Sequence, residues 1–89
     1  MVIFKFTKYA KRQFLKFEND IQLRITDKLK YLKSHPDIFS ILVLMKDSRF
    51  TTHRLRVGSY RLILRLNVHK KNYIEFIVVK AGDRREVYK

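Results

Sequence analysis

Residues 53–66 constrain the fold more than any other stretch, because apolar and polar side chains alternate there with a period of two. The dipeptide Gly58-Ser59 divides the stretch and has the length and composition of a type II′ hairpin turn. One face of the hairpin is therefore mostly apolar, and the opposite face carries four arginines. The apolar face consists of His53, Leu55, Val57, Tyr60, Leu62, Leu64 and Leu66, and the arginines are Arg54, Arg56, Arg61 and Arg65.

Two helices are predicted upstream of this hairpin. Apolar residues recur there at spacings of three and four, which is the period of an amphipathic helix. The first helix is expected over residues 8–17 with Thr7 as its N-cap. The second is expected to start from a cap at Asn19 or Asp20 and to end near Ser34. A short joint between them makes a two-helix hairpin.

Further strands complete the pattern. Residues 2–6 favour a first strand, residues 68–72 a polar turn, and the apolar run 73–80 a central strand that residues 81–83 should break. The order β-α-α-β-β-β predicts an α+β fold with the two-helix hairpin packed on one face of an antiparallel sheet. The arginines then lie on the uncovered face. Residues 37–50 are compatible with a strand or with an irregular segment over the sheet edge.

Size and composition favour a single domain over residues 1–89, because two domains would each be too small to bury a core without disulfides and the chain has no cysteine. The absence of cysteine is typical of a reducing compartment. The first 15 residues lack the apolar run of a secretory signal. The longest apolar run, residues 41–45, is far short of the roughly 20 residues that cross a bilayer. The sequence therefore predicts a cytoplasmic protein with no membrane partner.

Charge indicates the class of partner. The chain has 21 Lys and Arg against 8 Asp and Glu, a formal net charge of +13. Nearby acids, namely Glu75, Asp83 and Glu86, are too few to neutralise the four arginines of the hairpin face together with Arg84 and Arg85. Guanidinium groups match phosphate oxygens in pairs, so this face favours nucleic acid. A merely solvated face is the alternative.

Two sequence runs identify a family resemblance. Residues 53–63, HRLRVGSYRLI, resemble the R-L-R-V-G-x-Y-R hairpin of RelE/ParE toxins, and residues 79–89, VKAGDRREVYK, resemble that family's C-terminal G-H-R-x-x-V-Y signature. The β-α-α-β-β-β order is also the family's. The resemblance implies a toxin of a toxin–antitoxin system, and its RelE-like branch cuts messenger RNA in the ribosomal A site. In that reaction the 2′-hydroxyl attacks the adjacent phosphate, and neither a metal nor a cofactor is used.

The resemblance also implies roles for individual residues. By matching position, Arg61 stabilises charge on the phosphate and Arg84 assists Arg61. Tyr88 orients the scissile bond or donates a proton there. The other cations expected to contact RNA are Arg54, Arg56, Arg65, Lys80 and Arg85. The expected partners are a cognate antitoxin, in a toxin–antitoxin hetero-oligomer, and the ribosome with its mRNA. Residues 38–45 could dock the antitoxin if they lie at an exposed edge, or could form core.

Two departures from the family pattern affect the chemistry. Thr52 stands where RelE has a lysine, and Asp83 stands where the superfamily often has histidine. Arginine is a poor general base because its pKa lies above about 12. The candidate bases are Asp83, Glu86, Lys80 and His53, of which His53 should point into the core. Two other functions therefore stay open: a ParE-like poison of DNA gyrase without nuclease activity, and a decayed member that only binds antitoxin and RNA.

Overall fold

The hairpin around Gly58 organises the sheet in the computed structural model, which describes residues 1–45 and 51–83. Strand β3 (His53–Val57) pairs antiparallel with β4 (Tyr60–Lys70) across the turn. Gly58 has a φ of 60°, whereas no other residue described has a positive φ. Positive φ at the first turn position alone is the type II′ geometry that the sequence predicts.

Two helices follow the first strand, β1 (Val2–Phe6). Helix α1 spans Lys8–Leu15 and helix α2 spans Asn19–Lys33. The Thr7 hydroxyl accepts a hydrogen bond from the backbone N–H of Ala10 at 3.1 Å, which confirms the predicted N-cap. The predicted start of α2 was wrong by one or two residues, because Glu18 is the N-cap. Helix α1 is shorter than predicted, and the Gln22 side chain donates to the carbonyls of Leu15 and Phe17 at its C-terminus.

The last two strands run further than the sequence predicts. Strand β4 continues to Lys70, and β5 covers Tyr73–Asp83, so Lys71-Asn72 is the whole turn. Residues 81–83 do not break β5, because Ala81, Gly82 and Asp83 pair with Leu62, Arg61 and Tyr60 of β4. The antiparallel partner supplies the hydrogen bonds that keep these residues extended.

The sheet is mixed, with strand order β1-β5-β4-β3-β2, in which β2 is the short edge strand Val43–Leu44. The antiparallel pairing predicted from the sequence holds for β2 to β5, whereas β1 adds to β5 in parallel, with Phe4 opposite Phe76. Helices α1 and α2 follow β1 in the chain. Strand β1 lies beside β5, the last described strand, and runs in the same direction. The two helices pack on one face, so the α+β arrangement is confirmed.

Residues 37–45 combine both structures that the sequence allowed. A single 3-10 turn (Ile38–Ser40) is followed by a short edge strand, β2 (Val43–Leu44), paired with β3. Ile38 and Leu42 are buried in the core, whereas Val43 and Leu44 are exposed. The largest fully buried side chains lie between the sheet and the helices; they are Phe76, Ile25, Leu32, Leu55, Leu62, Leu64 and Val78. No helix in the described part of the chain is long and apolar enough to span a membrane.

Candidate functional site

The face of the sheet opposite the two helices carries most of the candidate residues. Residues that lie directly opposite in neighbouring strands point to the same side of a sheet, so the strand register assigns each residue to a face. Arg56 pairs with Arg61, Ile63 lies between Arg54 and Lys80, and Ile77 lies between Arg65 and Lys5. We call this surface the open face; its basic residues are Lys5, Arg54, Arg56, Arg61, Arg65 and Lys80. The predicted placement of the four hairpin arginines on one face is confirmed.

A β-bulge places Lys80 on the open face. Ile63 and Leu64 are consecutive in β4, but their partners in β5 are Lys80 and Val78, so Val79 is an extra residue. The bulge reverses the alternation of β5, and Lys80 therefore shares a face with Ile63 while Ala81 enters the core. The Gln13 side chain of α1 stabilises this segment by accepting a hydrogen bond from the Ala81 N–H at 2.8 Å.

Removing the Gln13 acceptor should destabilise the protein. We expect Gln13→Met to lower the free energy of unfolding by about 1–3 kcal/mol, because it leaves the N–H of buried Ala81 without its acceptor. Gln13→Glu keeps an oxygen in place and should unfold close to wild type. Urea denaturation of the three proteins makes the comparison. Equal midpoints for Gln13→Met and Gln13→Glu would show that this hydrogen bond does not stabilise the bulge.

Arg61 lies on the predicted face but does not project from it. Its residue is only 5% exposed, and one guanidinium nitrogen donates to the carbonyls of Gly58 at 3.2 Å and Tyr60 at 3.1 Å. The side chain therefore folds back against its own hairpin turn, where the two carbonyls accept hydrogen bonds from the buried guanidinium. The sequence predicts that all four arginines project from this face, and for Arg61 that prediction is wrong. Arg56 and Arg65 are exposed, and Arg54 and Lys80 are half-buried.

Like charges face each other across the hairpin. Arg56 and Arg61 are direct partners in the antiparallel ladder, and like charges in that relation are destabilising. A bound polyanion would remove this repulsion, since phosphate oxygens accept from guanidinium groups in pairs. The open face thus has the electrostatic character of a phosphate-binding surface, with apolar Ile63 and Ile77 between the cations.

One acid on this face is already engaged. Glu75 is buried, its carboxylate lies 2.8 Å from the Lys5 ammonium, and it accepts hydrogen bonds from Asn67 and Tyr73 at 2.6 and 3.0 Å. A second bulge, at Asn67 in β4, lies beside it. Hydrogen bonding to Lys5 and then to Asn67 lowers the pKa of Glu75 to about 2. Glu75, one of the acids near the hairpin arginines in the sequence, therefore pairs with Lys5, which β1 brings beside β5.

This carboxylate makes stability depend on pH. The pKa of Glu75 is depressed to about 2 from its ordinary 4.5, so its contribution is complete above about pH 4.5 and is lost as pH falls toward 2. We expect Glu75→Gln to flatten the fall in unfolding free energy across that window. Asp27→Asn, a change at an exposed position of α2, serves as control. Urea unfolding at several pH values measures the slope; identical slopes for wild type and Glu75→Gln would contradict the prediction.

The candidate general bases lie in different places. His53 is buried beside the rings of Phe39 and Phe76, which confirms that it points inward, and burial lowers its pKa. Asp83 is paired with Tyr60, whose ring packs on Phe17 on the helix side. Lys80 is on the open face. The remaining predicted site residues, Arg84, Arg85, Glu86 and Tyr88, lie outside the described residues.

Comparison with known proteins identifies the fold. No protein-family model and no curated protein matches this sequence. Among solved structures, the chain is similar to a chain of the toxin–antitoxin complex RelBE2 from Mycobacterium tuberculosis, with 17% identity, a TM-score of 0.68, and coverage of 92% of this chain and 96% of that one. A chain of the RelB-RelE antitoxin–toxin complex from Methanococcus jannaschii gives 20% identity and a TM-score of 0.68, with coverage of 96% and 95%.

A third structure has the same architecture. The intact E. coli RelBE toxin–antitoxin complex contains a chain that matches with 19% identity and a TM-score of 0.60, over 91% of this chain and 94% of that one. Each alignment covers more than 90% of both chains. The chain therefore has the fold of RelE-like toxins, as its two sequence motifs predict.

Proposed function

We propose that this protein is the toxin of a toxin–antitoxin pair and binds RNA on its open face. The observation that carries the proposal is the cluster of six basic residues on the side of a RelE-type sheet opposite the two helices. The three similar structures described above are toxin–antitoxin complexes, which supports a protein antitoxin as the partner. A net charge of +13 supports a polyanionic substrate.

We further propose that the bound RNA is messenger RNA on the ribosome and that it is cut there. The 2′-oxygen attacks the adjacent phosphorus and loses its proton, the bond to the 5′-oxygen breaks, and that oxygen takes up a proton. A 2′,3′-cyclic phosphate and a 5′-hydroxyl result. Negative charge increases on the phosphate oxygens as the bond forms, so nearby cations accelerate the step. Ribosomes and mRNA as partners make the cytoplasm the expected location.

The family resemblance suggests roles for individual residues. Arg61 is proposed to leave the carbonyls of Gly58 and Tyr60 and to contact the phosphate, with Arg84 and Tyr88 assisting at the scissile bond. Arg54, Arg56, Arg65, Lys80 and Arg85 are proposed to hold the RNA backbone. Two candidates for the general base, His53 and Asp83, belong to the helix side of the sheet and are therefore not proposed for that role.

Mapping of cleavage products on ribosomes tests the activity directly. The purified chain is incubated with ribosomes programmed with a defined mRNA, and new 5′-hydroxyl ends are located by primer extension. We expect cuts at A-site codons that require the ribosome. Intact mRNA together with trapped gyrase–DNA complexes in cells would instead support the gyrase-poisoning alternative. RNA binding without cutting and without trapped gyrase would support a protein that has lost its nuclease activity.

A further inference from the structure

Two arginines that lie directly opposite each other on the open face differ in exposure. Arg56 is exposed, whereas Arg61 is only 5% exposed. The two-residue turn is closed by the hydrogen-bonded pair Val57–Tyr60. The next pair, Arg56 with Arg61, is therefore of the non-hydrogen-bonded kind, in which side chains lie closest. If both guanidinium groups extended from these positions, two like charges would lie side by side.

Arg61 avoids that arrangement by bonding to its own turn. One of its guanidinium nitrogens donates to the carbonyls of Gly58 and Tyr60 at 3.2 and 3.1 Å. On the other side, the residue opposite Arg61 in β5 is Gly82, which has no side chain, so Arg56 is the cross-strand side chain that faces Arg61. The two carbonyls are neutral acceptors. A phosphate is a better acceptor for the same guanidinium, because charge-assisted hydrogen bonds are about twice as strong as neutral ones.

The charge on Arg56 is close enough to act on Arg61. A cross-strand pair lies inside the Debye length of about 8 Å at physiological ionic strength, so salt screens it incompletely. In the described part of the chain, the acid that the strand register assigns to the open face is Glu75, which already lies 2.8 Å from Lys5. Arg65 is four residues from Arg61 along β4, about 13 Å at 3.3 Å per residue, and its effect on Arg61 is screened.

We propose that Arg56 is a positioning residue for Arg61. In the free protein, the charge of Arg56 keeps the Arg61 guanidinium folded against the turn. A phosphate bound by Arg56 cancels that charge, and Arg61 then extends to the same RNA backbone. The inference rests on the proposed function for the source of the phosphate, but it requires no cleavage. Arg61 therefore reaches a phosphate only after RNA has bound, because binding shifts the population from the folded to the extended side chain.

The chemical reactivity of Arg61 in the free protein tests the role of Arg56. Phenylglyoxal modifies accessible arginine side chains, and peptide mass spectrometry of the full chain gives the rate at each arginine. Arg56→Gln removes the charge and should let Arg61 react at least about fivefold faster. Arg56→Lys keeps the charge and should leave the Arg61 rate near that of wild type, as should Arg65→Gln, which removes a more distant charge from the same face. Equal Arg61 rates in wild type and Arg56→Gln would overturn the proposal.

An RNA that cannot be cut tests the role of the phosphate. A 2′-O-methyl RNA trinucleotide has phosphates but no attacking hydroxyl, and the Nε–H resonance of Arg61 in isotope-labelled protein reports the hydrogen bonds of its guanidinium. Saturation with the trinucleotide should shift this resonance in wild type, and the free Arg56→Gln protein should already show part of the shift. An Arg61 resonance that stays in place in the trinucleotide complex would overturn the proposal.

The two measurements separate the proposal from the proposed function. A trinucleotide that shifts no resonance of the open face would overturn the phosphate step together with the proposed RNA binding. The reactivity of Arg61 involves no RNA, so a faster rate in Arg56→Gln would in that case still support the positioning role of Arg56. Neither measurement depends on nuclease activity.

Discussion

Arg61→Ala is expected to slow single-turnover mRNA cleavage on ribosomes by about 10² to 10³, the effect of losing about 3 to 4 kcal/mol of transition-state stabilisation. The guanidinium would meet phosphate charge that increases during the reaction, so ribosome binding should change far less than the rate. Measuring the cleavage rate with the protein already bound to ribosomes isolates the chemical step. The substitution removes the contacts to Gly58 and Tyr60, so thermal unfolding of the variant must accompany the kinetics.

Two controls separate this role from a structural one. Arg12→Ala removes an arginine at an exposed position of α1 and should leave cleavage near wild type. Arg61→Lys keeps the charge but loses the planar fork, so its rate should lie between those of wild type and Arg61→Ala. A folded Arg61→Ala protein that cleaves within about threefold of wild type would remove Arg61 from the proposed catalytic set.

RNA affinity should fall steeply with salt. If each of the six basic residues of the open face contacts one phosphate of a single strand, the logarithm of the binding constant should change with the logarithm of salt with a slope of about −4. Between about 50 and 200 mM salt this slope lowers affinity by about 300-fold. Filter binding or anisotropy with a short unstructured RNA provides the measurement.

Single substitutions then test which basic residues of the open face contact phosphates. Arg65→Gln and Arg56→Gln, at exposed open-face positions, should each reduce the slope by about 0.7. Arg56→Gln should also raise the free energy of unfolding by about 0.2–1 kcal/mol, because it removes a like charge opposite Arg61. Arg24→Gln on α2 is the matched control for both measurements. An affinity independent of salt would mean that the open face does not bind RNA through phosphates.

The predictable part of the fold depends on local signals. The turn at Gly58, the cap at Thr7 and the periods of two and of three to four involve residues close in sequence, and the structure confirms each of them. The parallel addition of β1 to β5 joins segments at opposite ends of the described chain, and no local period encodes the direction of such a pairing. The continuation of β5 through Gly82 likewise depends on its partner strand rather than on its own composition.

The candidate site likewise has features that the sequence predicts and features that it does not. Alternation within the hairpin correctly places its four arginines on one face, since the turn fixes the register. The pairing of Lys5 with Glu75 could not be predicted, because it depends on β1 lying beside β5. The back-folded guanidinium of Arg61 was also missed, because its acceptors are backbone carbonyls that every sequence contains.

The parallel β1–β5 pairing has a consequence for the order of folding. The Met1 amino group donates to the Asn72 carbonyl, a contact between positions 71 residues apart, whereas the hairpins and helices close over short loops. Closing a long loop is entropically costlier than closing a short one, so docking of β1 is expected late in folding. Phe4 and Phe6 line a cavity between β1 and the two helices, and Lys5 lies on the opposite side of the same sheet. One late step therefore completes both surfaces, and a partly folded chain that lacks it would have neither in final form.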